Sequence, residues 1–211
     1  MKTLYVLLLG GLLVATVAPA SARRDPRYTI AMQPFQAING TARFDLEKRL
    51  SEKEWIQLGL AMHTVTRRGN EIQVTLLADD HEINRLRGAG ATLKYKYFFH
   101  RWFYYAAAVD YNRYRVRYND NVMHTYKEDG LTFHEYLENI DTRQDFNKFS
   151  TSFTVGLQSS VSRVFFVDVF AGLGYAYSFY DEDKESFGSS IFSAGHRGTF
   201  PACGLRFGIA F

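Results

Sequence analysis

One cysteine, Cys203, is all that this 211-residue chain contains, so an internal disulfide is excluded. After the first two dozen residues no stretch approaches the roughly 20 consecutive apolar residues that a transmembrane helix needs. Lysine and arginine form no continuous run, which argues against a nucleic-acid partner. There is no internal repeat and no sign of a second domain. Gly172 and Gly174 sit within an alternating stretch and open no helix, so they form no phosphate loop. The acidic stretches Asp79-Asp80-His81-Glu82, Glu128-Asp129 and Asp181-Glu182-Asp183 lack the ligand spacing of a calcium loop, and His134-Glu135-Tyr136-Leu137-Glu138 lacks the second histidine of a zinc-protease box. No metal and no cofactor is expected.

What the chain does have is alternation. Its last residues set Cys203, Leu205, Phe207, Ile209 and Phe211 on one face against Gly204, Arg206, Gly208 and Ala210 on the other, a period of two that marks a β-strand with two unlike faces. The same pattern recurs upstream. Ala42, Phe44 and Leu46 oppose Arg43, Asp45 and Glu47; Ile56, Leu58, Leu60 and Met62 oppose Gln57, Gly59, Ala61 and His63. Ala91 to Phe99 opposes Gly90, Thr92, Lys94 and Lys96, and Phe103 to Tyr111 opposes Tyr104, Ala106, Ala108, Asp110 and Asn112.

Turn signals divide the chain into strands over residues 38–50, 54–66, 88–99, 102–118, 146–161, 164–180 and 195–211. Short turns at 51–53, 100–101 and 162–163 alternate with long polar segments at 67–87, 119–145 and 181–194, which are expected to be loops. For the first and last strands to close the sheet, parity requires one strand more, and residues 27–35 are the only segment available, with Pro34 near the strand end. The count is eight. Met1 to Ala22, with Lys2, an apolar run from Leu4 to Val17 and small residues at Ala20 and Ala22, is expected to be a cleaved signal peptide, leaving a single domain over residues 23–211.

The mean hydropathy is −0.23 and 16% of the residues are aromatic. A membrane protein sustains so hydrophilic an average only if half of each spanning element faces away from lipid, as barrel strands do. Large apolar side chains fill one face, while glycine, alanine, serine, threonine and charges fill the other. A soluble lipocalin-type barrel has the opposite polarity. Trp55, Tyr95, Tyr97, Tyr111, Tyr175, Tyr177 and Phe179 lie close to strand ends and are expected to form aromatic girdles at the interfaces.

These residues, and the terminal run from Gly204 to Phe211, resemble the small eight-stranded outer-membrane barrels typified by the OmpA transmembrane domain and OmpX, and more loosely the small barrels common in Bacteroidota. The resemblance implies an all-β, antiparallel, up-and-down transmembrane barrel with a side-chain-filled lumen, located in the outer membrane of a Gram-negative bacterium. It also implies a monomer surrounded by lipid and lipopolysaccharide and inserted by the barrel assembly machinery. It carries no specific function.

On the inward face the pattern places Arg43, Asp45, Glu47, Lys94, Lys96, Asp110, Lys148, Asp168 and Arg206. In a lumen as narrow as that of an eight-stranded barrel these charges are expected to pair into a network that plugs the barrel, the rival role being a narrow channel for ions or small solutes. Tyr126, Phe133, Tyr136 and Leu137 supply apolar contact material in the second loop, suited to an extracellular protein or glycan ligand. A lipid A hydrolase or acyltransferase would need a serine, a histidine and an acid together. His124, His134 and His196, with Ser178, Ser189, Ser190 and Ser193, are placed near the outer loops, but nothing in their spacing specifies such a triad. The expected protein is non-catalytic, with a structural or surface-interaction role.

Overall fold

The computed structural model describes residues 26–38, 40–66, 83–128, 131–162, 164–180 and 194–211, with backbone alone at 38, 83, 119–128 and 133–140. Eight strands follow in chain order: β1 (Tyr28–Met32), β2 (Thr41–Arg49), β3 (Glu54–Thr66), β4 (Ile83–Phe98), β5 (Phe103–Glu128), β6 (Leu131–Ser160), β7 (Phe165–Phe179) and β8 (Gly198–Ala210). Each pairs antiparallel with its neighbours, and β1 pairs with β8 to close the barrel. Closure gives every strand a neighbour on both sides in the barrel wall, the condition for placing β-structure in hydrocarbon.

The alternation predicts the faces correctly. Phe44, Leu93 and Val109, at 56%, 54% and 42% exposure, lie on the outside, while Asp45, Lys96, Asp168 and Arg206 are buried within. Cys203 is on the exterior. Of the proposed girdle, Tyr95, Tyr111, Tyr175, Tyr177 and Phe179 are exposed and Tyr97 is half-exposed. Trp55 departs from it. It shares its parity with Gln57, so it faces inward, where it is buried with its ring centroid 6.3 Å from that of Phe98.

β2 and β8 are shorter than the expected 38–50 and 195–211, and three larger differences from the sequence reading follow. β1 ends at Met32, because Pro34 opens a five-residue helix, α1 (Pro34–Ile38), at the first helical position, where its missing N–H costs nothing. β4 begins at Ile83, inside the segment expected to be loop. Residues 119–145 are mostly strand as well: β5 and β6 pair in register from Phe103↔Leu157 to Glu128↔Leu131, interrupted by one irregularity between Asp120 and Val122. Polar composition was read as loop, although a hairpin standing beyond the membrane has no need of an apolar face toward lipid. The expected signal peptide and residues 67–82 and 181–193 lie outside the described residues. Among the described residues no helix is long and apolar enough to cross a membrane.

Along β5 the polarity of the two faces inverts. From Phe103 to Tyr111 the outward residues are apolar or aromatic; from Arg113 to Arg117 they are arginine. Meanwhile the inward Tyr114, Val116 and Tyr118 join Leu86 and Phe146 in an apolar cluster. Nine strand residues tilted by about 40° span roughly 23 Å, close to the roughly 25 Å of an outer-membrane apolar band. The inversion thus marks one edge of the lipid-facing zone, at the end of the barrel opposite the short turns.

Candidate functional site

The lumen holds the densest chemistry. All nine predicted charges line the interior, because each occupies the inward parity of its strand. Their centre is a four-membered ionic cluster of Glu47, Lys96, Asp168 and Arg206, all fully buried. Lys96 Nζ lies 2.7 Å from Glu47 Oε1 and 3.0 Å from Asp168 Oδ2. Arg206 Nη1 lies 2.8 Å from Glu47 Oε1, and Arg206 Nη2 donates to Asp168 Oδ2. Arg206 Nη1 also lies 3.4 Å from Asp45 Oδ2, a third buried carboxylate that Arg43 pairs in turn, so each charge has an opposite partner and the desolvation that isolated buried charges would suffer is offset.

Neutral groups complete the coordination. Arg206 Nη1 donates to Gln57 Oε1 at 2.7 Å, Tyr104 OH to Asp168 Oδ1 at 2.6 Å, Thr29 Oγ1 to Glu47 Oε2 at 3.0 Å, and Lys96 Nζ to Gln158 Oε1 at 3.2 Å. Thr29, Glu47, Gln57, Lys96, Tyr104, Gln158, Asp168 and Arg206 come from β1 to β8 in turn, one residue from every strand. Sequence reasoning found the four ions and missed their four neutral partners. The available signal was that all four share the inward parity and can hydrogen-bond.

A second tier lies two or more residues further along the strands, away from the short turns. Arg43 Nε donates to Asp45 Oδ1 at 3.0 Å, and its Nη1 is 3.6 Å from Asp110 Oδ1. Asp45 also accepts from Gln33 Nε2 at 2.9 Å, and Asp110 accepts from Thr92 Oγ1. Lys94 places its ammonium 4.4 Å from the centroid of the Phe170 ring, a cation–π contact. Lys148 lines a cavity of about 310 Å³ with Asp110, His63, Asn112 and Thr41, and a neighbouring cavity of about 190 Å³ runs past Lys94 and Arg43. Gln36 of α1 lines both, so the early end of β1 brings a polar side chain into the lumen. On the side away from the short turns stands the apolar cluster of Tyr114 and Phe146; on the other side stands the four-ion cluster. The polar space lies between these two clusters.

The histidines and serines considered for acyl chemistry do not assemble a nucleophile among the described residues. His63 lies in the lumen, bonded to Thr41 and Asn112 at 2.9 and 3.0 Å. Ser178 donates to the backbone carbonyl of His196 rather than to its ring, and the ring Nε2 is 3.0 Å from Thr199 O. Ser189, Ser190 and Ser193 lie outside the described residues, as do the side chains of His124 and His134. The backbone carries Tyr126, Phe133, Tyr136 and Leu137 on the β5–β6 hairpin, where Tyr126 pairs with Phe133, Met123 with Tyr136 and Val122 with Leu137. Their side chains lie outside the described residues. The same holds for most of the acidic stretches, and no group of three or more metal-ligating side chains occurs among the described residues.

No family model matches the sequence, and no curated protein is similar to it. Among solved structures, the chain is similar to Acinetobacter baumannii CarO, with 9% identity over 88% of this chain and 98% of that one and a TM-score of 0.43. It is similar also to the N-terminal β-barrel domain of Pseudomonas aeruginosa OprF, with 10% identity over 87% and 96% and a TM-score of 0.40. A third is the Neisserial surface protein A, with 9% identity over 87% and 94% and a TM-score of 0.40. The eight-stranded closed antiparallel architecture rests on this chain's own strand pairing.

Proposed function

We propose that the protein is a non-catalytic anchor in a Gram-negative outer membrane, a sealed monomeric barrel that holds the β5–β6 hairpin outside the cell as an interaction surface for a protein or glycan. The observation that carries this reading is the ionic cluster to which every strand contributes, together with the apolar belt around it. Four buried charges with neutral partners from the remaining strands make a cross-brace, and a cross-brace through the axis supports a scaffold rather than a conduit. The hairpin of 26- and 30-residue strands is far longer than a membrane crossing needs, and segments that project from a rigid scaffold are where binding is commonly built.

Deleting residues 121–139 tests the reading. The shortened protein is expected to remain heat-modifiable in gel migration and to lose binding of whole cells to host protein or glycan arrays. A shortened protein that no longer folds would make the hairpin part of the scaffold, and unchanged binding would remove it from the interaction surface.

A further inference from the structure

Six arginines face outward together at the far edge of the apolar belt, and no requirement of the barrel accounts for them. Arg85 and Arg87 stand on β4, Arg113, Arg115 and Arg117 on β5, and Arg143 on β6. They occupy one parity of three adjacent strands and line a surface cavity of about 360 Å³. Three pairs are direct cross-strand partners: Arg85↔Arg117, Arg87↔Arg115 and Arg117↔Arg143. Like charges directly opposite on a sheet face destabilise it, so three such pairs on one patch oppose folding unless something anionic sits among them.

Among the described residues, one carboxylate pairs with these arginines. Asp145 forms a two-pronged pair with Arg115, Nε to Oδ1 at 2.9 Å and Nη2 to Oδ2 at 2.9 Å, and reaches Arg113 and Arg143 only at 3.6 and 3.7 Å. Among the described residues these six positive charges face one paired carboxylate, with Asp141 two residues from Arg143 on the same face of β6, so the patch is positive. Arg85 Nε is buried and has no hydrogen-bond partner among the described residues. A planar guanidinium with free donors matches a phosphate oxygen pair better than any other biological anion except carboxylate.

Position decides which phosphate. The patch begins two residues beyond Tyr111, whose outward ring closes the apolar part of β5, and its first row lies beside Ala89 and Asn147. Side chains there stand at headgroup depth, flanked by lipid on the barrel side and by water beyond. We propose that Arg85, Arg87, Arg113, Arg115, Arg117 and Arg143 form a lateral docking site for the phosphates of a phosphorylated glycolipid of the outer leaflet, of the lipid A class. The acyl chains would lie against the outward Leu93, Val109, Tyr111 and Phe149 below. This inference rests on the outer-membrane reading given above.

The test uses the full chain without residues 1–22, folded into phosphatidylcholine vesicles that contain either bisphosphorylated lipid A or its dephosphorylated form. After detergent extraction and gel filtration, bound lipid A per barrel is measured by mass spectrometry. The parent chain is expected to retain the phosphorylated form and not the dephosphorylated one. The triple variant Arg113→Gln, Arg115→Gln, Arg117→Gln is expected to retain about tenfold less, the effect of losing three partly exposed ion pairs. Lys48→Gln with Lys53→Gln, at the short-turn end, should retain lipid A fully. Equal retention by the triple variant, or equal retention of both lipid forms, overturns the proposal. If millimolar inorganic phosphate displaces lipid A completely, the site reads free phosphate and not the glycolipid, which also overturns it. Heat-modifiable migration, scored in vesicles without lipid A, separates failure of this inference from failure of the barrel reading.

Discussion

Arg206 of β8 and Asp168 of β7 are direct register partners, and their side chains meet in the lumen with no exposure to solvent. Asp168 also receives Lys96 and Tyr104, and Arg206 also reaches Glu47 and Gln57. Two adjacent strands therefore organise contacts that cross to the opposite wall.

Removing Asp168 leaves two buried cations, Lys96 and Arg206, to share Glu47 alone between them. Asp168→Ala is expected to destabilise the barrel by about 3 to 5 kcal/mol, the usual cost of breaking a buried pair from one side. Replacing Asp168 and Arg206 together with leucine and methionine should recover much of the loss. Urea unfolding in detergent micelles measures both, and a double variant as unstable as the single one would contradict a pairing account.

The cluster also predicts electrical silence. In planar bilayers the parent protein should show no resolved single-channel steps, whereas Glu47→Ala with Lys96→Ala, which removes one charge of each sign from the centre, should open a measurable conductance. Steps in the parent protein that change on Lys94→Ala or Asp110→Ala would instead favour a narrow channel along the second tier.

Gly156 faces the Tyr104 ring so closely that an added Cβ would overlap it. Tyr104 cannot yield freely, because its hydroxyl holds Asp168 and its ring packs 5.3 Å from Phe98. Gly156→Val is expected to cost about 1 to 3 kcal/mol. Adding Tyr104→Ala should restore space but not the hydrogen bond, so the double variant should recover only part of the stability in the same unfolding assay.

Beyond the lipid band, hydrogen bonds from Arg115 hold the Asp145 carboxyl below its ordinary value near 3.8. A carboxyl lowered on folding contributes stability that is present above its ordinary value and lost as pH falls through the lowered one. The hairpin base should therefore be insensitive to pH from neutrality down to about 4 and loosen below that. Arg115→Gln should bring the Asp145 titration, followed by carbon-detected NMR, back toward the ordinary value; no movement would mean that the pair does not persist in solution.

Cys203 offers a direct reading of which face meets lipid. It lies exposed on the outside of β8, opposite Ala171 of β7. In vesicles it should react with a membrane-soluble maleimide and resist a charged one, and in denaturant it should react with both. Rapid labelling by the charged reagent in intact vesicles would place that face in water.

Strand faces were legible in the sequence because alternation is a local property: successive side chains on an extended backbone must point to opposite sides. β3 spans the expected residues 54–66, and the nine charges sit at the inward parity of their strands. Where the reading erred, one local cue was overridden by another. Polar residues at 119–145 suggested a loop, yet β5 and β6 template each other, and the pairing continues where the membrane no longer constrains composition. Trp55 was assigned to the interface by residue type although its parity already placed it inside. The arginine patch was visible as Arg113, Arg115 and Arg117 at period two, and as Arg85 and Arg87, but nothing local said that the two stripes were neighbours.

By itself, then, the amino-acid order determined the number of strands, the two faces of each and the inventory of the lumen, since all three follow from short-range periodicity and turn chemistry. Which charges meet was decided only by tertiary structure. Asp168 and Arg206 are 38 residues apart, and Asp45 and Arg206 are 161 apart. The first contact depends on the register of the β7–β8 pair, and the second on closure between β1 and β8, a property of the whole cylinder that no local window of residues contains.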